Sequence, residues 1–156
     1  MSRPIDVFAA YTQQGWTLSL AESCTGGMVA AAVTEVAGSS NIFGRGFVTY
    51  SDEAKTDLLG VSDESLRLFG AVSEEVASEM AAGAKRSSGA DVAVAITGIA
   101  GPGGSENKPE GRVCFALLAP GKDAQTETVE FGAMGRAEVR TAARDHALSL
   151  LLSAAS

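Results

Sequence analysis

Apolar residues recur along this chain in two rhythms, and the changes between them predict its elements. Ile5, Phe8, Ala9 and Tyr11 suggest one face of an amphipathic helix over residues 5–14, which Gly15 stops. Thr17-Leu18-Ser19-Leu20 alternates as a short strand does. A turn over Ala21–Gly27 leads into a small-residue helix over 28–36, with Met28, Val29, Ala32, Val33 and Val36 on one side. Gly46–Tyr50 predicts a second strand. Asp52 stands as the N-cap of a helix that Gly60 closes, and Ser62 caps a shorter turn through Phe69. Ser73, with Glu74 and Glu75 at the positive end of the dipole, opens a helix to about Ser88.

After the turn Gly89-Ala90-Asp91, the unbroken apolar run Val92–Ile96 reads as a central strand buried on both faces. Thr97–Gly111 is a long loop with five glycines and two prolines. Arg112–Leu118 and Thr126–Phe131 form a hairpin across Pro120-Gly121, and Arg136–Ser153 is a last helix with Val139, Ala143, Leu150 and Leu151 inward. Helices that alternate with strands, followed by a hairpin, predict an α/β fold: a three-layer α/β/α sandwich around a mixed sheet. Abundant alanine and glycine favour close packing of helices on that sheet.

Composition narrows the function classes. The 156 residues suit one domain, spanning 1–156. With 46% apolar and 20% charged residues, the chain can build a core and is not of the disordered type. No apolar run approaches the roughly 18 residues of a membrane span, and no secretory signal is visible, so the expected compartment is the cytoplasm. The net charge of −7 argues against nucleic acid as the main partner. Between Pro4 and Leu66 the basic residues are Arg45 and Lys55. Cys24 and Cys114 form no metal-ligand spacing, and one histidine, His146, is too few for a zinc site. His146 reads as a helix-surface or core-edge residue.

Three segments carry candidate chemistry. In Ala21-Glu22-Ser23-Cys24-Thr25-Gly26-Gly27 a serine sits where a strand gives way to a helix, a place that presents N–H groups to an oxyanion or exposes a nucleophile. Ser23 or Thr25 as a plain N-cap is the competing reading. In Gly44–Lys55 a tyrosine at a strand end precedes a lysine in the first helical turn, where the dipole and burial would lower its pKa and make it a base. A solvated surface lysine beside Asp52 and Glu53 is the alternative. Thr97-Gly98-Ile99-Ala100-Gly101 follows the buried strand, where α/β sheets bind ligands, although such loops are often merely flexible. With His146 read as a helix-surface or core-edge residue, serine catalysis here would use lysine as its base.

Together the segments resemble the C-terminal domain of the CinA competence/damage-inducible proteins, a family that includes stand-alone nicotinamide-nucleotide amidohydrolases. The shared text is Ala21–Gly27, Ala37–Ser40, Gly46–Ser51 with Lys55, Gly70–Ser73, Thr97–Pro102, Lys108-Pro109 with Gly111, and the late Arg136 and Arg140. It covers the chain from about residue 5 to 152. The resemblance implies hydrolysis of the carboxamide of nicotinamide mononucleotide to nicotinate mononucleotide and ammonia, with no cofactor and no metal. The family's serine, tyrosine and lysine fall on Ser23, Tyr50 and Lys55. Ser23 would attack, Lys55 would take its proton, and Tyr50 would orient the pair or relay the proton.

The turn Cys24, Thr25, Gly26 and Gly27 would supply oxyanion donors. Arg45 with Gly46, Arg140, and Thr97, Gly98 and Gly101 of the later loop are candidates for the substrate's phosphate. Glu22 would hold ribose hydroxyls or brace the serine turn. Asp52 stands where an asparagine is expected and would raise the pKa of Lys55, against its role as a base. The second domain of the long CinA proteins is expected to be absent, so its activity is not carried over. A homo-oligomer is expected. The alternatives are a non-catalytic pyridine-nucleotide-binding regulatory module and a hydrolase of the same mechanism acting on another amide.

Overall fold

The computed structural model describes residues 2–156. In chain order the elements are α1 (Pro4–Gln14), β1 (Leu18–Glu22), α2 (Met28–Thr34), β2 (Phe47–Val48), α3 (Asp52–Leu59), α4 (Asp63–Phe69), α5 (Glu74–Ser88), β3 (Val92–Gly98), β4 (Arg112–Leu118), β5 (Gln125–Glu130) and α6 (Arg136–Ala154). A short 3₁₀ turn over Ser39–Asn41 separates α2 from β2. The five strands form one mixed sheet in the order β2-β1-β3-β4-β5. β1 pairs in parallel with both β2 and β3, and β3-β4-β5 is antiparallel. With helices on both faces, this is the expected three-layer α/β/α arrangement.

The two faces of the sheet differ in side-chain size. On one face Leu18, Leu20, Val92, Val94, Ile96, Val113, Phe115 and Leu117 pack with α1, α2 and α6. On the other Ala21, Ala93, Ala95, Cys114 and Ala116 meet Ala77, Met80, Ala81 and Ala84 of α5. Small residues on both sides let α5 lie close to the sheet, with α3 tight against α5 in turn. Burial of α5 alone removes most of the side-chain surface of Val76 and Met80, each worth about 1.5–3 kcal/mol.

The chain leaves β1 through α2 on one face and leaves β2 through α3, α4 and α5 on the other. Two crossovers of the same hand in opposite directions require opposite faces. A crevice therefore opens between the carboxyl ends of β1 and β2, the place where such sheets bind ligands.

Several boundaries differ from the pattern, each for a physical reason. In α1 the buried residues are Val7 and Tyr11, while Ile5 and Ala9 are exposed, because the helix turns its Val7–Tyr11 edge toward α6. β1 is buried at all five positions rather than alternating, since both of its faces are covered. α2 ends at Thr34, two residues early. β2 shortens to Phe47–Val48. The cap of α3 is Ser51, whose Oγ accepts from Ala54 N–H at 3.0 Å, and Asp52 is the first helical residue.

β3 runs on through Thr97 and Gly98, which pair with Cys114 and Val113, so these two belong to a strand and not to the loop. β5 covers Gln125–Glu130 rather than 126–131. In α6 Leu148 is buried and Leu150 half-buried. Ser62 and Ser73 cap α4 and α5 as expected, and Gly15, Gly60 and Gly89 end their helices in the left-handed region.

Gly83 measures how tightly α3 and α5 are joined: a Cβ there would lie 2.0 Å from the Leu59 carbonyl oxygen. Gly83→Ala gains about 1 kcal/mol of helix propensity, but overpacking against backbone costs up to about 3 kcal/mol. The variant is expected to unfold at lower urea concentration than the wild type. An equal or higher midpoint would show that α3 yields without cost.

Candidate active site

Side-chain alternation at the end of β1 separates two neighbouring residues by role. Glu22 points toward α2 and Ser23 toward α3. The Glu22 carboxylate is fully buried and accepts from the N–H groups of Gly27 (3.1 Å), Val29 (3.0 Å) and Ala30 (2.9 Å). It caps α2 and fixes the turn between. Ser23 N–H donates to the Ile96 carbonyl at 2.9 Å, extending the β1–β3 ladder by one residue. Its side chain then faces the crevice.

Lys55 enters from the opposite wall. It lies one turn into α3, yet only 1% of it is exposed. Its Nζ is 2.9 Å from Ser23 Oγ, 2.9 Å from the Thr49 carbonyl and 3.3 Å from the Tyr50 carbonyl. Burial disfavours the charged form and lowers the pKa of Lys55; Asp52, Cys24 and Glu106 act in the raising direction and are outweighed. A buried lysine with a depressed pKa is a poised base.

These groups open on a cleft of about 300 Å³ beyond the carboxyl ends of the parallel strands. Its walls include Ser23, Lys55, Tyr50 and the segment Thr97–Glu106. A strand–turn–helix serine against a buried lysine, in a crevice of this topology, can perform acyl transfer.

The sequence matches the family described as the CinA C-terminal domain over residues 4–155. The chain belongs to that family. Among solved structures it is similar to the competence/damage inducible protein CihA from Agrobacterium tumefaciens, with a TM-score of 0.94, 46% identity, and coverage of 98% of this chain and 93% of that one. It is also 50% identical over 143 residues to the Escherichia coli K12 protein named nicotinamide-nucleotide amidohydrolase PncC, covering 91% of this chain and 86% of the relative. With the CinA-like protein of Syntrophobacter fumaroxidans it shares 51% identity over 140 residues, 89% of this chain. That stretch is 32% of the relative's length, so the chain spans about a third of such longer members.

Within this frame the other candidate residues sort themselves. Cys24 lines the cleft, but burial pushes its thiol pKa up to about 12, which leaves it protonated. Thr25 is fully buried. Gly26 N–H donates to the Ser23 carbonyl and Gly27 N–H to Glu22, so neither glycine has an N–H left for a ligand. Among the described residues the N–H groups of Cys24 and Thr25 have no protein acceptor. Glu22 braces the turn and is too buried to meet ribose. Thr97 donates its hydroxyl to the Ala71 carbonyl at 2.8 Å; Thr97, Gly98 and Gly101 all line the cleft.

Three candidates make contacts other than those expected of them. Arg45 and Gly46 lie away from the cleft, where Arg45 donates to the Ser87 carbonyl at 3.0 Å, because the chain reaches β2 from the amino end of β1. Arg140 lies outside the lining; it donates to the carbonyls of Cys24 (3.1 Å) and Thr25 (3.4 Å) and so holds the serine turn from behind. The Tyr50 hydroxyl makes no hydrogen bond to Ser23 or Lys55. It accepts instead from Arg136, whose other terminal nitrogen donates to the Gly101 carbonyl. Arg136 and Glu106 line the cleft and were not among the candidates; Arg136 stood in the family text without a role, and Glu106 had no local signal. His146 pairs with Glu127 at the core edge, as expected.

Glu22→Ala would strand the three N–H groups at the start of α2 at a cost of about 3 kcal/mol, or roughly 10 °C in Tm. Thermal unfolding followed by circular dichroism checks this, and an unchanged Tm would mean the turn does not depend on the carboxylate.

Proposed function

We propose that this chain hydrolyses the carboxamide of nicotinamide mononucleotide to nicotinate mononucleotide and ammonia. The observation that carries the reading is the 2.9 Å contact between Ser23 and the buried Lys55 inside the cleft. The E. coli relative's name supplies the substrate.

A neutral Lys55 amine has two N–H groups and one lone pair. With the carbonyls of Thr49 and Tyr50 accepting the two N–H groups, the lone pair is left for the Ser23 hydroxyl, whose Oγ is 2.9 Å from Nζ. As Ser23 Oγ bonds to the amide carbon, its proton passes to Lys55 Nζ. The oxyanion forms against the N–H of Cys24, which lines the cleft. Lys55 then returns the proton to the amide nitrogen, the C–N bond breaks, and ammonia leaves a Ser23 ester. Water attacks that ester with Lys55 again taking the proton, the acid is released, and Ser23 recovers its hydrogen. Tyr50 positions Lys55 through its backbone carbonyl, and its hydroxyl orients Arg136. Two of the five guanidinium N–H groups of Arg136 are engaged, leaving others for the phosphate.

Ser23→Ala and Lys55→Met should both fold and both lose ammonia release by at least about a thousandfold, the methionine because it fills the buried space of the lysine but has no lone pair to take the proton. For the wild type, the fraction of Lys55 in its base form rises with pH. The acidic limb of kcat/KM should therefore have its midpoint below the ordinary lysine pKa, and Asp52→Asn should move it lower still. Normal turnover by either dyad variant would overturn the mechanism. Tight binding of the nucleotide by a wild type that releases no ammonia would favour the regulatory module.

A further inference from the structure

Apart from Lys55, three ionisable side chains besides Cys24 and Tyr50 line the cleft: Asp52, Glu106 and Arg136. Asp52 stands one turn before Lys55 on α3, and among the described residues its carboxylate accepts no hydrogen bond. Glu106 reaches in from the facing loop. Its φ of 52°, with 62° at Asn107, is the left-handed region that side chains rarely occupy, so the surroundings must hold it there.

They do so at three points. Ser105 and Lys108 exchange backbone hydrogen bonds of 3.0 and 2.8 Å across the turn. Lys108 Nζ donates to the carbonyls of Phe69 and Val72, both at 2.6 Å. Gly70 leaves the room: a Cβ there would lie 2.3 Å from Glu106 Oε2. Among the described residues Glu106 forms an ion pair with Lys108 alone, at 4.0 Å, and Lys108 is already bonded to those carbonyls.

We infer that Asp52 and Glu106 make this cleft select amides carried on a positively charged ring, an inference that rests on the reading above. An amide carbon in reach of Ser23 sits about 3 Å from Oγ, and a ring bonded to it lies in the cleft that both carboxylates line. The exposed Tyr50 ring (62% accessible) offers a face to the same cation. Arg136 lies at the mouth, suited to an anion at the far end of the substrate. With Lys55 neutral, the lining carries two negative charges and one positive. A simple anion is disfavoured there, whereas a zwitterion with its cation next to the amide and its anion outward fits. A nicotinamide mononucleotide is such a zwitterion. Its 1,4-dihydro form has the same ribose phosphate on a neutral ring.

The test compares these two forms on the wild type and the Asp52→Asn/Glu106→Gln double variant, each at the pH plateau of its own profile. Both side chains are exposed, so the variant's fold is not at stake. The double variant should raise KM for the pyridinium form roughly tenfold, while the Ki of the dihydro form as a competitor changes less than twofold. Equal changes for both forms, or no change in KM, would overturn the inference. If the wild type releases no ammonia, the reading of function fails separately; calorimetric Kd values of both forms then decide. A Kd ratio that the double variant leaves unaltered defeats charge selection, one that collapses supports it, and a protein that binds neither form defeats both.

Discussion

Everything at the cleft depends on keeping the Lys55 amine out of water. An isolated ammonium in that position would cost several kcal/mol or more, so the surroundings must both tolerate the neutral form and satisfy its hydrogens. The carbonyls of Thr49 and Tyr50 do the second task. They are available because β2 stops at Val48, after which the chain bends and aims successive carbonyls at the start of α3. A longer β2 would turn those groups toward a strand partner. The brevity of this edge strand is thus tied to the lysine, and the Ser51 cap sets where α3 begins and hence where Lys55 falls.

The serine wall is held from the face of the sheet that α2 and α6 cover. Glu22 fastens the turn to α2, and Arg140 reaches from α6 to the carbonyls of Cys24 and Thr25. Both are charged groups bonded to backbone, stronger than neutral pairs, and neither touches the cleft. Ser23 is left between a fixed turn and a fixed amine. The small-residue packing of α5 against the sheet, with Gly83 against Leu59, sets the height of α3 and so the distance across the crevice. Stability and site geometry rest here on the same contacts.

Much of this was legible in the chain. The apolar run Val92–Ile96, the serine caps at Ser62 and Ser73, and the glycine stops at Gly15, Gly60 and Gly89 act within a few residues, so local pattern suffices to find them. Ser23, Tyr50 and Lys55 stood out for the same reason: each sits at a junction between elements. The candidates whose contacts differ share one cause as well. Arg45 and Arg140 were weighed as free cations because their partners, the carbonyls of Ser87 and Cys24, lie 42 and 116 residues away. Glu22 left two readings open until its carboxylate was seen beneath α2.

Sequence alone determined the layered α/β architecture and the order of most elements, and marked the serine and lysine as candidates, because periodicity, capping and turn chemistry are short-range. Tertiary structure decided which cation faces the cleft, which N–H groups remain unoccupied, and that a lysine in the first turn of a helix is buried and not solvated. Those outcomes depend on which polar groups the fold brings within 3 Å of one another. No local preference encodes that, since a backbone carbonyl from any part of the chain is an equally good acceptor.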